Sequence, residues 1–434
     1  TETEEDPSRT LNFPVFISQL KQKKADPITR YIRSFLKEFS KKNWTAAEQT
    51  KIVLDFKEFI RPQIDANPLF SALSSNDLLN VYEGVEKLIM NRLYSKTFSP
   101  EIPLPARSDE HEEDVLRDNI LEEKMSLFYW VNGSHLDIIP SLISNVDNFL
   151  KLASDELNKM NNYRAPRDKM VCILNACKVI FGLLRVTKSE ESADSFIPLL
   201  IFVVLRAHPD HLISNMNYIQ RFRDPEKLNG EAGYYLSSLQ GAVSFIETLD
   251  KSQLSVSDEE FESKTELSVK LLEEKRNQKQ NENQPPATPG QQNVSHKATP
   301  LSSAPTSPSG EEVTAALAPH APSNMTPSAI LLNSTGIFSS SLRSFSKIFE
   351  GDSILSEGGK DNESTGSSTS EEESAARQAS AEEYEARKLQ QQEHNSVVKI
   401  LCEMFPGLDK DIVEDVVLEK EGRVGAAVDS CLSL

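Results

Sequence analysis

The chain of 434 residues is long enough for two or three domains of ordinary size. Its hydrophobic fraction of 38% and charged fraction of 26% are too polar for one compact globule, so we expect part of the chain to be disordered. The formal net charge of -19 repels phosphate backbones, which argues against a nucleic-acid partner.

Targeting and redox chemistry can be judged from the same sequence. The first ten residues, TETEEDPSRT, are acidic and polar, unlike the basic and then apolar start of a signal peptide, so we expect none. The longest apolar stretch, residues 197–205, is far too short for a transmembrane segment. The cysteines form no CxxC pair, so we expect free thiols and neither a disulfide framework nor a metal site; they are Cys172, Cys177, Cys402 and Cys431.

The first third of the chain predicts an arm followed by a helical bundle. Residues 1–24 are mostly polar, and we expect them to be disordered. Asp26 stands before a proline, which is typical of a helix N-cap, and apolar residues then recur at helical spacing. Thr45 and Glu48 have the spacing of a capping box and open a second amphipathic helix. With a third helix that ends before a Ser-Pro pair, residues 25–104 predict a bundle.

Residues 105–264 predict a second, layered helical domain. One stretch, residues 197–205, is apolar on every face. Periodicity alone would also allow a buried strand, but no neighbouring segment alternates like a partner strand, so we predict a central buried helix. Amphipathic helices are predicted around it at residues 110–130, 139–157, 168–184, 211–222 and 235–249.

The composition changes again after this domain. Over residues 265–385, Gln, Asn, Pro, Ser, Thr and Glu dominate, and such a segment cannot bury enough apolar surface to offset its ordering entropy, which predicts a disordered linker. Four Ser/Thr-Pro pairs in it are either proline-directed phosphorylation sites or a result of the composition. Residues 386–434 then predict three short helices, a very small domain with a marginal core. The predicted fold class is therefore all-α.

No motif for covalent chemistry occurs. The sequence has no GxxxxGK[ST], HExxH or GxSxG pattern, so we expect no bound nucleotide, cofactor or metal and no covalent reaction.

Two helix starts carry the residues of interest. Asp194 precedes the apolar stretch and Pro198 lies in its first turn, where a carboxylate is stabilised by free backbone N–H groups. By spacing alone, Asp194 or Ser195 is an N-cap. Tyr234 and Tyr235 open another helix between glycines, and by spacing alone they are packing residues.

Several segments together resemble a known family. In order and approximate spacing they resemble the vacuolar-protein-sorting-nine domain over roughly residues 105–250, with the preceding bundle packed against it. The family consists of guanine-nucleotide exchange factors for endosomal Rab GTPases of the Rab-five class. The segments are residues 165–169, 192–199, 215–222, 233–235 and 242–247.

The resemblance implies roles for individual residues. Asp194 matches the acidic finger that reaches into the nucleotide site of the GTPase, opposes Mg²⁺ and engages the P-loop lysine. Tyr234 matches a tyrosine that contacts the GTPase switch region, and Pro198 matches a groove proline beside them. Ser237 stands where family members often have threonine; it retains the hydroxyl, so we expect a modest consequence.

The C-terminal segment resembles a CUE domain, a three-helix ubiquitin-binding module. Met404-Phe405-Pro406 and the late pair Cys431-Leu432 carry the resemblance, which implies an apolar patch for ubiquitin. Family members commonly have two leucines at the late pair, and the smaller Cys431 would weaken that patch.

The order of the parts resembles that of the fungal vacuolar-protein-sorting-nine family. It implies an exchange factor for an endosomal Rab GTPase that also binds ubiquitin and ubiquitinated cargo. The protein would act in endocytic and vacuolar transport, in the cytoplasm and peripherally at endosome membranes. The alternative is a non-catalytic adaptor or scaffold for Rab and ubiquitin that linker phosphorylation regulates. The pair Asp194 and Tyr234 favours catalysis.

Overall fold

The computed structural model describes residues 11–143, 147–186, 194–282, 394–420 and 424–434. Over these ranges the chain forms α-helices and short 3-10 turns without any β-strand, and the predicted all-α class is confirmed.

The first four helices form the predicted bundle, and the capping box that opens its third helix is confirmed. The Oγ1 of Thr45 accepts from the N–H of Glu48 at 3.2 Å, and Oε2 of Glu48 accepts from the N–H of Thr45 at 3.0 Å. The reciprocal pair satisfies two backbone donors that a helix start leaves open. The bounds are Phe13–Leu20 (α1), Asp26–Phe39 (α2), Ala46–Asp65 (α3) and Ser75–Thr97 (α4).

The prediction of a disordered arm over residues 1–24 is wrong from Phe13 onward, while residues 1–10 lie outside the described part. Helix α1 packs on α4, and Phe16 is fully buried there. Its ring lies directly over Gly84, where an added Cβ would collide with it. Phe13 and Phe16 have the spacing of neighbours on one helix face. The prediction of disorder rested on the average composition of residues 1–24, which does not show such a pair.

The start of α2 also differs by one residue from the prediction. A 3-10 turn over Lys23–Ala25 leads directly into the helix, so Ala25 is the N-cap and Asp26 is the first helical residue. Its carboxylate still lies in the first turn, where the helix dipole favours it.

The second helical domain surrounds one buried helix, as predicted. Helix α9 contacts α7, α8 and α11, and its apolar side chains from Leu199 to Leu205 are buried on nearly every side. The bounds are Asp109–Leu127 (α5), Pro140–Ile143 (α6), Asp147–Lys159 (α7), Pro166–Val186 (α8), Phe196–Ala207 (α9), Leu212–Phe222 (α10), Gly230–Glu247 (α11) and Asp258–Glu282 (α12).

Buried charges join the bundle to this domain. The guanidinium of Arg223, just after α10, pairs with Glu83 and with Glu86 on α4, the latter at 2.8 Å. Glu86 also pairs with Lys57 of α3 at 2.5 Å. Burial raises the pKa of Glu86, but the charges of Arg223 and Lys57 outweigh it and hold that pKa below its usual value.

A buried lysine forms a second link between the same parts. Lys169 of α8 lies among the rings of Tyr94, Phe98 and Tyr218, with its Nζ 4.8 to 5.9 Å from their centroids. Its Nζ also donates to Oδ1 of Asn215 at 2.6 Å. Burial lowers the pKa of Lys169 to about 7.

The predicted linker starts later than expected, because residues 265–282 continue helix α12. The helix is anchored where Phe261 packs on Phe128 and Trp130, and Glu266 pairs with Lys270 one turn apart along it. Strong helix formers and such pairs sustain a helix that buries little apolar surface. The remaining linker residues, including the four Ser/Thr-Pro pairs, lie outside the described ranges.

The C-terminal segment forms three helices, as predicted. They are residues 394–404 (α13), Lys410–Glu419 (α14) and Val424–Ser433 (α15). Leu401, Val413, Val417 and Val428, all fully buried, form their shared core. Helix α15 packs against α8, and the C-terminal helices belong to the same compact unit as the N-terminal ones.

Among the described helices, no single one has both the length and the apolar character needed to cross a bilayer. Helices α9 and α10 meet these criteria only as a pair that is bent by 117°. Both are buried in the core.

Candidate functional site

The carboxylate of Asp194 is exposed at the start of the central helix. Asp194 lies in a turn, Ser195 is the N-cap, and Phe196 is the first residue of α9. The side chain of Asp194 makes no hydrogen bond or ion pair with any other described residue, whereas the rest of the turn is anchored by the buried Ser195 and Phe196. The positive end of the α9 dipole favours a negative charge at this point.

Stacked rings connect this helix start with Tyr234. Phe196 is buried and stacks on Phe181 of α8 at 4.3 Å between centroids, with ring planes 19° from parallel. Its ring also neighbours that of Tyr234 of α11, with centroids 6.1 Å apart and ring planes 22° from parallel. Tyr234 is 53% exposed, so its side chain lies partly against the buried Phe196 and partly in solvent. The structure therefore brings the predicted Asp194 and Tyr234 to one surface.

The start of α11 is set by two glycines. Gly230 has a φ of +62°, a conformation that side chains with a Cβ rarely adopt. A Cβ on Gly233 would collide with the carbonyl oxygen of Leu228. The helix consequently begins a turn earlier than predicted from residue 235, and Tyr234 lies inside it instead of at its end.

Pro198 and Ser237 border the same surface. Pro198 is half-buried in the first turn of α9, next to the exposed Ile197. Ser237 is exposed one turn after Tyr234, and its hydroxyl donates to the carbonyl of Gly233 at 2.8 Å. An apolar groove edge and a hydroxyl thus flank the exposed carboxylate and ring.

An ion pair braces α11 against α8 beneath this surface. Nζ of Lys178 lies 3.2 Å from Oε2 of Glu231, three residues before Tyr234. Tyr235 is turned inward beside it, and burial raises the pKa of its hydroxyl. The two adjacent tyrosines therefore have different roles, since Tyr235 packs in the core and Tyr234 faces outward.

The predicted C-terminal patch is only partly accessible. Met404, Phe405 and Leu432 are half-buried and Pro406 is exposed. Cys431 is 4% exposed, because it faces the core of the three helices, and burial raises the pKa of its thiol. Cys431 therefore adds little accessible surface in this arrangement, whereas Leu432 is half-buried; the contact of Cys431 with ubiquitin stays a prediction.

The sequence did not indicate the residues that support the surface with Asp194 and Tyr234 or those that lie against the C-terminal patch. Phe181 and Phe196 hold Tyr234, and Phe149 and Gly182 lie against the C-terminal helices. Phe181 stands in the predicted helix 168–184 and Phe196 directly precedes the apolar stretch 197–205, but periodicity alone does not say which rings meet.

Comparisons with known families agree with this division of the chain. Residues 150–251 match the vacuolar sorting protein 9 (VPS9) domain. Residues 394–434 match the CUE domain, and residues 30–94 match a domain of unknown function, DUF5601. The DUF5601 match covers most of the helical bundle, and the VPS9 match covers the helices that carry Asp194 and Tyr234.

The chain is similar to several curated proteins. It is 50% identical to vacuolar protein sorting-associated protein vps901 of Schizosaccharomyces pombe over 269 residues, which are 61% of this chain and 46% of that protein. It is 36% identical to vacuolar protein sorting-associated protein 9A of Arabidopsis thaliana, over 58% of this chain and 47% of that one.

A human relative, the Rab5 GDP/GTP exchange factor, is 32% identical over 55% of this chain and 50% of its own length. The chain thus spans about half the length of each of these three relatives. The family matches fall on the helices that form the site and on the C-terminal helices, and the chain therefore contains a VPS9 domain and, at its C-terminal end, a CUE domain.

Proposed function

We propose that this protein is a guanine-nucleotide exchange factor that promotes GDP release from a Rab GTPase of the Rab-five class. The observation that carries the proposal is the exposed carboxylate of Asp194 at the start of α9, next to a half-exposed tyrosine, Tyr234. The relatives named as exchange factors and sorting proteins support the reaction class and the pathway of endocytic and vacuolar transport.

The chemistry of the reaction is non-covalent. A GTPase holds GDP largely through Mg²⁺ and through the P-loop lysine at the phosphates. A carboxylate inserted at that point repels the β-phosphate and competes for the lysine, so it stabilises the nucleotide-free GTPase. Asp194 suits this role because its carboxylate has no partner among the described residues that it would have to give up.

The surroundings of Asp194 suit docking of a protein surface. Tyr234 offers an exposed ring beside the buried Phe196, and aromatic residues that become buried on association dominate the binding energy of many interfaces. Pro198 and Ile197 supply an apolar edge, and Ser237 adds a hydroxyl at the rim. We assign these residues to the contact with the GTPase and Asp194 to the nucleotide site.

The proposal extends to the rest of the chain. The bundle, about residues 25–104, supports the exchange domain, about residues 105–264, and the CUE domain near residues 386–434 binds ubiquitin and ubiquitinated cargo. The contact patch for ubiquitin consists of Met404, Phe405, Pro406 and Leu432. Ubiquitin binding would bring a cytoplasmic protein to endosome membranes, where its GTPase resides, and raise the local concentration of one for the other.

Release of fluorescent GDP from a panel of endosomal and unrelated Rab proteins tests the exchange function. The wild type is expected to accelerate release from GTPases of the Rab-five class above all others. Asp194→Ala is expected to lose about ten- to a hundredfold in rate, which corresponds to the loss of one charge-assisted hydrogen bond. Asp210→Ala is the matched control, because Asp210 is an equally exposed acid beyond the other end of α9.

Two results would contradict this assignment. One is an unchanged exchange rate in Asp194→Ala, and the other is a wild type that binds the GTPase without accelerating release. The second result would favour an adaptor. Circular dichroism of the variant is expected to match the wild type, because the exposed carboxylate has no described partner to lose.

Binding of monoubiquitin to the full chain tests the C-terminal assignment. Met404→Asp places a charge in the apolar patch and is expected to weaken binding at least about tenfold. Leu418→Asp is the matched control, since Leu418 is an apolar residue 70% exposed on α14 and not part of the patch. Equal affinity of both variants would refute the patch.

A further inference from the structure

The CUE domain rests on the exchange domain through two glycines. Gly182 of α8 lies beneath Val428 of α15, so that an added Cβ would come within 2.8 Å of Val428 Cγ1. Gly425 of α15 in turn lies against Lys178 of α8, where an added Cβ would come within 2.6 Å of the lysine Cβ. Each helix has a glycine, and so no side chain, where the other helix approaches, and this allows the close contact.

The same contact covers the patch assigned to ubiquitin. Leu432 Cδ1 lies 3.6 Å from the position of a Cβ on Gly182. Phe405 meets Phe149 of α7 edge to face, with ring centroids 6.2 Å apart and planes 78° from each other. Both patch residues are therefore half-buried against the exchange domain, and their side chains continue its apolar core.

An ion pair closes the rim of the contact. Nη2 of Arg185, at the end of α8, donates to Oδ1 of Asp429 on α15 at 2.6 Å. Both side chains are largely exposed, so the pair contributes little, about 0–1 kcal/mol. The apolar contact therefore supplies most of the attraction, and the pair fixes the register of the two helices.

We propose that ubiquitin and the α7–α8 face of the exchange domain compete for one apolar surface of the CUE domain, formed by Phe405 and Leu432. The proposal rests on the ubiquitin binding proposed above. In the docked state Phe149 and α8 occupy the space that the apolar face of ubiquitin needs. Ubiquitin can then bind only after the CUE domain leaves α8. Its apparent affinity equals the intrinsic affinity multiplied by the fraction of molecules that are undocked.

With such competition, ubiquitin binding to the CUE domain also changes which surface of the exchange domain is exposed. A high local ubiquitin concentration shifts the population toward the undocked state, and this exposes Phe149 and Gly182. Any change that weakens the docked contact raises the undocked fraction and so tightens ubiquitin binding, up to the limit at which all molecules are undocked. The effect of weaker docking on ubiquitin binding can be tested with substitutions in the exchange domain alone, which leave the CUE domain unchanged.

Gly182→Gln in the full chain is the decisive variant. A Cβ at this position lies 3.8 Å from Phe149, an ordinary contact, so the added side chain collides with the CUE domain and not with its own domain. Glutamine also favours the helix interior over glycine. Gly241→Gln is the matched control, because Gly241 is a helical glycine on α11 with open space around its Cβ position.

The dissociation constant for monoubiquitin is then measured for the three full chains. We expect tighter binding by Gly182→Gln, about tenfold if docked molecules outnumber undocked ones by about ten to one, and no change in Gly241→Gln. Arg185→Glu, which repels Asp429, is expected to act in the same direction with a smaller factor. Equal dissociation constants in wild type and Gly182→Gln would overturn the competition while leaving ubiquitin binding intact.

Amide hydrogen exchange reads the docking without any ubiquitin. The amides of α15 are expected to exchange faster in Gly182→Gln than in wild type or Gly241→Gln, because undocking removes the support of α8. Unchanged protection in Gly182→Gln would overturn the docked contact itself. If instead protection falls but none of the chains binds ubiquitin, the ubiquitin function fails and with it the competition.

Discussion

Phe196 stacks on Phe181 with ring centroids 4.3 Å apart, and the ring of Tyr234 is nearly parallel to that of Phe196 with centroids 6.1 Å apart. This arrangement joins three helices at one point. Phe181 belongs to α8, Phe196 opens α9 two residues after Asp194, and Tyr234 lies on α11. The position of the Asp194 carboxylate relative to the Tyr234 ring thus depends on Phe196, which is buried and so unavailable for contact with the GTPase.

Phe196→Leu is expected to reduce exchange more than its effect on stability explains. The smaller side chain removes the ring on which Tyr234 rests, and the loss of packing lowers the free energy of unfolding by about 1–2 kcal/mol. We expect a fall in the GDP-release rate at a temperature where the variant is fully folded. Phe128→Leu, at a buried ring directly after α5 that packs on Phe261, provides the control. Equal exchange rates in the two variants would argue against positioning by Phe196.

Glu86→Gln is expected to destabilise the protein strongly. It removes the buried carboxylate that Arg223 and Lys57 share; Arg223 keeps Glu83, so we expect the loss to lie at or below the about 3–5 kcal/mol typical of a broken buried pair. Urea unfolding at neutral pH measures this loss. Because Lys57 and Glu86 belong to the bundle and Arg223 to the VPS9 domain, the variant is expected to weaken the contact between these two parts.

The same carboxylate predicts an acid dependence. The folded-state pKa of Glu86 lies below the unfolded value, so the unfolded chain binds more protons between the two, and stability rises with pH there. The contribution of Glu86 is therefore complete above its usual pKa and is lost as pH falls through the lower folded value. Wild type should lose free energy of unfolding more steeply than Glu86→Gln at acidic pH; parallel curves would contradict this.

Lys169 predicts a dependence on the alkaline side. Its folded-state pKa of about 7 lies below the ordinary value for lysine, so the unfolded chain binds more protons between about pH 7 and 10. The free energy of unfolding should therefore rise with pH over that range. Burial raises the pKa values of Tyr94 and Tyr218, the two tyrosines beside it, and neither titrates in this window.

Lys169→Met isolates this effect. The methionine fills the space among the three rings without a titrating group, so the difference in unfolding free energy between pH 7 and pH 9 should shrink in the variant. Denaturant unfolding at the two pH values provides the measurement. A variant with the same pH dependence as wild type would show that Lys169 stays protonated throughout.

The helices were predictable where the sequence carries local signals. The capping box at Thr45 and the apolar run ending at Leu205 depend on neighbouring residues alone, and both were found as predicted. The predictions of disorder over residues 1–24 and 265–385 were wrong at one end each. Phe16 packs over Gly84 and so anchors α1, and Phe261 packs on Phe128 and so anchors the start of α12. Single anchoring contacts with residues far along the chain leave no trace in local composition.

The candidate site divides in the same way. The family resemblance implied roles for Asp194, Tyr234, Pro198 and Ser237, and their positions at the starts of α9 and α11, exposed or, for Pro198, half-buried, are compatible with that hypothesis. The sequence did not indicate that Phe196 would support Tyr234, or that Cys431 would face inward. These depend on the rotation of each helix about its axis, which is set by packing against neighbours.

The sequence by itself determined the helical class and the separation into large and small helical parts, because periodicity and capping are local properties, while its resemblance to a known family indicated the residues of the proposed chemistry. Only the tertiary structure decided that the small part lies against α8 with Leu432 over Gly182 and Phe405 on Phe149. That contact joins residues about 250 positions apart in the chain. It follows from the shapes of two helix surfaces, which exist only once both parts have folded.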